Sequence, residues 1–324
     1  MTTHSPRRRA AGILLFLVLL TGAVPIHGSE LGGQPGAFSR MGFGARGIGM
    51  GNAMVAGTEG EVVGYYNPAL LPLMDRRYAS VTMGILSLDR RLNFLSASIP
   101  LPPSAGLSVG LINAGVSEID GRDADGRPTG PLQTSENQAF LSFAIRFKPG
   151  FSLGLNLKLY YYQLYTDISS TTVGIDLGGA YPLTDEITLG LAVRDINSKY
   201  KWDTSTLYGQ NGQSSEDRFP LLYLLGASYR LPGGMGEFSA EVELSDPGTM
   251  LLRAGVEVIL LPEVLIRAGL DRADLRDSGN GVRPTFGFTL RRDLEAWVPA
   301  VNYAFVVEPF APTGMHLISV SATF

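Results

Sequence analysis

The chain is expected to fold as an all-β protein, a transmembrane antiparallel β-barrel of about fourteen strands, and three features of its sequence predict this. Apolar side chains alternate with polar or small ones over segments of about ten residues, the length a tilted strand needs to cross a membrane. Every second connection between these segments is short, while the intervening ones include long polar stretches. Charges recur on one face of consecutive segments, and closing the sheet would turn that face into a lumen. A soluble β-sandwich also alternates, but its strands average about 5 to 6 residues and its inner face is apolar.

In chain order, Arg7, Arg8 and Arg9 form a basic start, Ala10 to Val24 an apolar run, and Gly28 a small residue before Ser29, so residues 1–28 are expected to be a cleaved signal peptide. Residues 29–76 are rich in Gly and Met and show no sustained strand period, so they are set apart from the barrel strands; that they form an N-terminal hatch or plug segment is what a family resemblance carried by Gly44–Ala56 and Tyr65–Ala69 implies. The barrel is expected over residues 77–324, with strands near 77–87, 92–100, 104–114, 137–147, 151–165, 171–181, 186–196, 220–231, 236–244, 249–260, 264–271, 282–291, 296–307 and 314–324. The clearest is Phe151, Leu153, Leu155, Leu157, Leu159 and Tyr161, which alternate with Ser152, Gly154, Asn156, Lys158, Tyr160 and Tyr162. Tight connections such as Leu101 to Pro103, Lys148 to Gly150 and Pro232 to Met235 alternate with the loops Val116 to Glu136, Asn197 to Phe219 and Arg272 to Gly281. With both chain termini periplasmic, the short turns fall on the periplasmic side throughout. The last strand ends on an outward-pointing Phe324, which is expected to serve as the signal read by the barrel-assembly machinery.

Composition narrows the function. The chain has no cysteine, which removes disulfides, thiolate metal sites, thiol nucleophiles and a lipidated cysteine anchor. Of three histidines, His4 and His27 lie in or beside the export signal, leaving His316. On a flat strand His316 points away from Ser319 and Ser321, so no Ser-His pair forms there; no enzyme and no cofactor are expected. The formal net charge of -4, with both signs interspersed, offers no basic stripe to nucleic acid. Asp120, Asp123 and Asp125 with Gly126 suggest a calcium loop, but Gly121 stands where a ligand is needed and no Glu closes the set, so a solvated loop is the reading taken. The candidate lumenal charges are Arg194, Glu241, Glu243, Arg253, Glu257, Arg267, Asp271 and Arg283. From Glu241 onward they fall on four successive strands, predicting a ladder of cross-strand ion pairs that braces the lumen or lines a polar pathway. Trp297 and Tyr303 are candidates for the aromatic girdles, and His316 for a place near the outer rim.

The run Gly44-Ala45-Arg46-Gly47-Ile48-Gly49-Met50-Gly51-Asn52-Ala53-Met54-Val55-Ala56, followed by Tyr65-Tyr66-Asn67-Pro68-Ala69, resembles the N-terminal signature of the PorV/PorQ family, which is related to the FadL-type transporters of hydrophobic compounds. Asn302-Tyr303-Ala304-Phe305 with Gly314 and His316 to Val320 resembles that family's last hairpin. The resemblance implies a fourteen-stranded barrel in the bacterial outer membrane, with the hatch in or beneath its lumen and Gly44, Arg46, Gly49, Gly51, Asn67 and Pro68 as its motif. For those glycines close packing is the ordinary role and ligand gating the sharper one. It implies transport of a hydrophobic small molecule, or alternatively a PorV-like scaffold role with secretion-system proteins of the type IX kind. Outer-membrane lipids and the barrel-assembly machinery are the remaining expected partners. The FadL proteins proper are longer, with larger external loops, and this chain has fewer long loops than that pattern.

Overall fold

Alternation dictates the wall. A strand with one apolar and one polar face can satisfy all its backbone amides inside lipid only if the sheet closes on itself. The computed structural model describes residues 31–59, 61, 63–147, 150–165, 167–276, 282–309 and 311–324, so the expected signal peptide and the end of the Arg272–Gly281 loop lie outside the described residues. Its strands are β1 (Tyr78–Ile85), β2 (Arg90–Leu101), β3 (Ala105–Arg122), β4 (Pro128–Arg146), β5 (Ser152–Tyr165), β6 (Ile168–Pro182), β7 (Ile187–Ile196), β8 (Lys199–Asp203), β9 (Ser214–Arg218), β10 (Leu222–Arg230), β11 (Gly236–Ser245), β12 (Met250–Leu261), β13 (Val264–Asp274), β14 (Arg283–Arg291), β15 (Val298–Val306) and β16 (Met315–Thr323). All except β8 and β9 form one closed, antiparallel, fourteen-stranded barrel in which β1 pairs with β16. β8 and β9 pair with each other as a separate hairpin between β7 and β10.

The facing follows the period-two pattern. On β5 Leu153, Leu155, Leu157 and Leu159 point outward and are exposed, while Ser152, Asn156, Lys158 and Tyr160 point inward and are buried. Val81, Met83 and Val320 stand 59%, 62% and 61% exposed on the outer surface, which only a hydrocarbon environment makes favourable for so many large apolar groups. The chain is therefore an outer-membrane barrel. Its periplasmic end holds the short turns, and there Phe324 stacks on Trp297 with ring centroids 6.3 Å apart. Phe324 also exchanges both backbone hydrogen bonds with Arg77 and so helps to close the ring. Towards the outer end, Tyr303 and His316 Nδ1 share a hydrogen bond of 2.7 Å on the outer surface.

Two of the expected loops are in fact built. β3 and β4 continue pairing out to Arg122 and Pro128, so most of Val116–Glu136 is a projecting hairpin. Within Asn197–Phe219 lie β8, β9 and a helical turn at Ser205–Tyr208. Beyond the membrane both faces of the β3–β4 hairpin meet water, so the apolar alternation that marks a spanning strand has no cause there, while β8 is too short to declare its one buried face, Tyr200 and Trp202. At the tip Asp123 Oδ1 accepts the backbone N–H groups of Asp125 and Arg127 at 2.9 and 2.8 Å, and Asp120 pairs with Arg122, so these acids serve the turn itself.

Candidate functional site

The chain from Leu31 to Met74 runs inside the barrel. It contains two short 3-10 turns, Leu31–Gly33 and Ala37–Arg40, a one-and-a-half-turn helix α1 (Gly44–Gly49), and a 3-10 segment Pro68–Leu73. So short a helix is unstable alone, and the barrel wall holds both its ends. Ser319 Oγ accepts the Ala45 N–H at 3.0 Å, and Thr285 Oγ1 donates to the Gly49 carbonyl at 3.0 Å.

The glycine-rich sequence is explained by how closely wall and plug approach. Gly51 has φ +62, and a Cβ there would stand 2.6 Å from the Leu270 carbonyl oxygen. The wall answers with Gly255 and Gly269, whose missing side chains leave room for the Met50 and Gly51 backbone, while Gly49 sits opposite Gly287. Across the lumen Gly106 receives Leu71, Gly154 receives Pro68 and Ala69, Gly178 receives Asn67, and Gly190 receives Val55. Asn67, wholly buried, caps its 3-10 segment by accepting the Ala69 N–H at 3.0 Å. Its Nδ2 donates to the carbonyls of Val55 at 2.7 Å and of Gly179, on β6, at 3.1 Å, so one side chain ties two stretches of plug to the wall.

Charge supplies the other attachment. Arg46, 3% exposed on α1, lies between two wall carboxylates: Nη2 bonds Glu257 Oε1 at 3.0 Å and Glu237 Oε2 at 3.2 Å, and Nε bonds Glu257 Oε2 at 3.2 Å. Glu257 also pairs with Arg267 on the next strand. Above this group Arg253 bonds Glu241 and Glu243 at 2.9 Å each and Asp271 at 3.1 Å. Arg283 extends the chain of ion pairs from Asp271 to Glu308. The predicted charges from Glu241 to Arg283 are thus brought together in two groups, Glu257 and Arg267 with Arg46, and Glu241, Glu243, Arg253, Asp271 and Arg283 with one another. Arg194 stands apart from both: its guanidinium donates to the Tyr66 carbonyl and lies over the Tyr65 ring at 5.0 Å. Sequence reasoning missed Glu237, which belongs to the Arg46 pair. It also missed Asp195, which with Asp176 holds Lys158 at 2.9 and 2.8 Å. The usable signal for Glu237 was its in-phase position with Glu241 and Glu243 on β11.

The lumen is divided by height. Towards the periplasm its wall is lined by hydroxyls and amides bonded across strands, as in Ser80–Ser96, Thr82–Ser319, Ser98–Ser108 and Ser142–Asn156 at 2.7 to 3.0 Å. Towards the outside its β2–β5 and β16 side is lined by Leu92, Phe94, Ile112, Phe140, Tyr160 and Leu317, all buried, while the ion pairs of Arg253 and Arg283 lie on its β11–β14 side. The plug's Phe38 and Phe43 fill this apolar part; Phe43 packs on Phe94 at 4.9 Å and Phe38 lies edge-on to Tyr160 at 6.4 Å. The β8–β9 hairpin covers the mouth with Tyr200 and Trp202, which pack tilted or edge-on against Tyr162 and Phe219. Burial, with the charge of Glu136 at hydrogen-bond distance, pushes the Tyr200 hydroxyl well above the usual tyrosine range.

No protein-family model and no curated protein matches the chain. Solved structures do. Over 87% of its length the chain superposes on 97% of the CymD monoaromatic hydrocarbon channel, with a TM-score of 0.62 at 15% identity. It superposes to the same extent on 98% of a Pseudomonas aeruginosa FadL homologue (TM-score 0.59, 13% identity) and on 96% of the Pseudomonas putida toluene transporter TodX (TM-score 0.57, 12% identity). The fold is therefore that of the FadL-like outer-membrane channels. Of these, CymD is named as a channel and TodX as a transporter.

Proposed function

We propose that this barrel takes part in moving hydrophobic compounds across the outer membrane, with the segment at residues 29–76 as its hatch. One observation carries the reading: on its β2–β5 and β16 side the outer half of the lumen is apolar and aromatic, facing the charged β11–β14 side. Such a lining gives an oily solute a place to leave water, and it lies on the side from which the solute would come. The proteins of the same fold that are named for a monoaromatic hydrocarbon or for toluene support the same class of cargo. The test is uptake of a labelled hydrophobe into vesicles whose outer leaflet is lipopolysaccharide, because a plain phospholipid bilayer leaks such compounds. Uptake should exceed that of barrel-free vesicles; equal uptake rules transport out.

A second reading draws on a different observation. Plug and ion pairs fill the lumen at the level of α1, as a scaffold needing no passage would allow. The PorV/PorQ-like motifs at Gly44–Ala56 and Tyr65–Ala69 make a role in type IX protein secretion the form this reading takes. Co-purification of the barrel with secretion-system proteins, together with absence of hydrophobe uptake, would favour it.

A further inference from the structure

One polar side chain on the apolar β2–β5 side of the lumen is buried without a partner among the described residues. Gln138 on β4 points inward, is 0% exposed, and neither its Oε1 nor its Nε2 has a hydrogen-bond partner among the described residues. Its register partners on the two adjoining strands, Ile112 and Tyr160, are equally buried. Close by, Ser198 Oγ is also buried without a partner; it and the Tyr160 ring share the space over Gly174. Tyr160 packs on Phe219 at 4.9 Å, and against this pair lie plug residues Gly36 and Phe38. A buried amide with two unmet hydrogen-bonding groups is costly, and a fold with only packing to satisfy would have Leu or Met there.

We infer that Gln138 is a specificity-determining residue of a ligand site now occupied by the Phe38 side chain. The inference rests on the transport reading and narrows its cargo to apolar compounds bearing one uncharged hydroxyl or amide group. A ligand hydroxyl in place of Phe38 accepts from Nε2 and donates to Oε1, so one group satisfies both halves of the amide. Ile112, Phe140 and the Tyr160–Phe219 pair then take the hydrocarbon part. A carboxylate fits less well: it would accept from Nε2 but leave Oε1 unmet, and the nearby ammonium of Lys158 is already held by Asp195, which also receives the Tyr160 hydroxyl at 2.6 Å.

The experiment uses the full barrel in lipid nanodiscs, with tritiated decane as tracer in a proximity assay and empty discs as background. Unlabelled decane, 1-decanol and decanoate compete. In the native protein decanol should displace the tracer at roughly tenfold lower free concentration than decane, the size expected of one satisfied hydrogen-bonding pair. Gln138→Met keeps the shape and loses both polar atoms; it should abolish that preference, so that decanol and decane compete equally. Because the substitution removes an unmet polar group from the interior, the variant should also unfold at a higher urea concentration than the native barrel. Equal potency of decanol and decane in the native protein, or an alcohol preference that survives in Gln138→Met, overturns the role of Gln138 and leaves transport standing. Decanoate as the strongest competitor overturns it too, since a cationic group would then be reading the ligand. A folded native barrel that binds no tracer overturns the transport reading, and this inference with it.

Discussion

Replacing Arg46 should unlock the plug. In the seated state the guanidinium makes three hydrogen bonds to Glu257 and Glu237, and all three side chains are 5% exposed or less. In Arg46→Met the aliphatic stem remains but the charge goes. Glu257 keeps Arg267, whereas among the described residues Glu237 retains only the Thr58 N–H at 3.2 Å. Breaking a buried pair from one side costs about 3 to 5 kcal/mol. Charged against the seated plug alone, that raises the unseated population by roughly two to three and a half orders of magnitude, at about 1.4 kcal/mol per factor of ten. The assay is single-channel recording in planar bilayers. The native barrel should be nearly silent, and Arg46→Met should show ion-conducting openings, because the wall exposed by the plug is polar on its periplasmic half. Adding Glu237→Gln should recover part of the closure by removing the orphaned charge. Silent traces from Arg46→Met in correctly folded, heat-modifiable barrels would refute the assignment of Arg46 as the plug's ionic attachment.

Other substitutions test the remaining contacts. Gly190→Ala places a Cβ against the Val55 carbonyl and should cost about 1 to 3 kcal/mol by overpacking, seen as faster protease cleavage of residues 29–76. Asn67→Ala loses the cap on Ala69 and two donated bonds and should lower the denaturation midpoint by the equivalent of about 1 to 3 kcal/mol. Leu155→Arg puts a cation on the lipid-facing wall and should destabilise the barrel by about 2 to 4 kcal/mol if it lies near the midplane, measured by reversible unfolding in lipid vesicles. Deleting Phe324 removes the stack on Trp297 and the backbone exchange with Arg77; the folded, heat-modifiable fraction recovered from cells should fall.

How much of this could be read from the sequence depended on where water and lipid meet the chain. Within the membrane each strand separates two unlike media, so β5 declares itself through five alternate leucines and aromatics, and the predicted ends of most barrel strands fall within a few residues of the observed ones. The charged network on β11 to β14 was legible for the same reason, since Glu241, Glu243, Arg253, Glu257, Arg267 and Asp271 all keep one phase. Arg46 was legible only through its motif. Nothing local to Gly-Ala-Arg-Gly says that the arginine meets Glu237 and Glu257, about two hundred residues later in the chain. The isolation of Gln138 was equally hidden, because an inward glutamine looks like any other polar lumen residue until its neighbours prove to be apolar.

The two sides of the lumen hold the plug by different forces, and a hydrophobic solute can compete with only one of them. On the β11–β14 side α1 is held by ion pairs and by hydrogen bonds from Thr285, which an oily molecule cannot replace. On the β2–β5 side Ala37 to Phe43 is held mainly by aromatic and aliphatic contact, which such a molecule reproduces. Solute binding should therefore release the segment around Phe38 and Phe43 while α1 keeps its seat, so that the plug yields in part rather than leaving as a unit. Hydrogen exchange with saturating decane measures this directly: the amides of Ser39, Met41 and Phe43 should lose protection, and those of Met50 and Gly51 should keep theirs. If α1 loosens first while residues 37–43 stay protected, the ionic contacts are the weaker hold, and the division of labour proposed for the two sides is reversed.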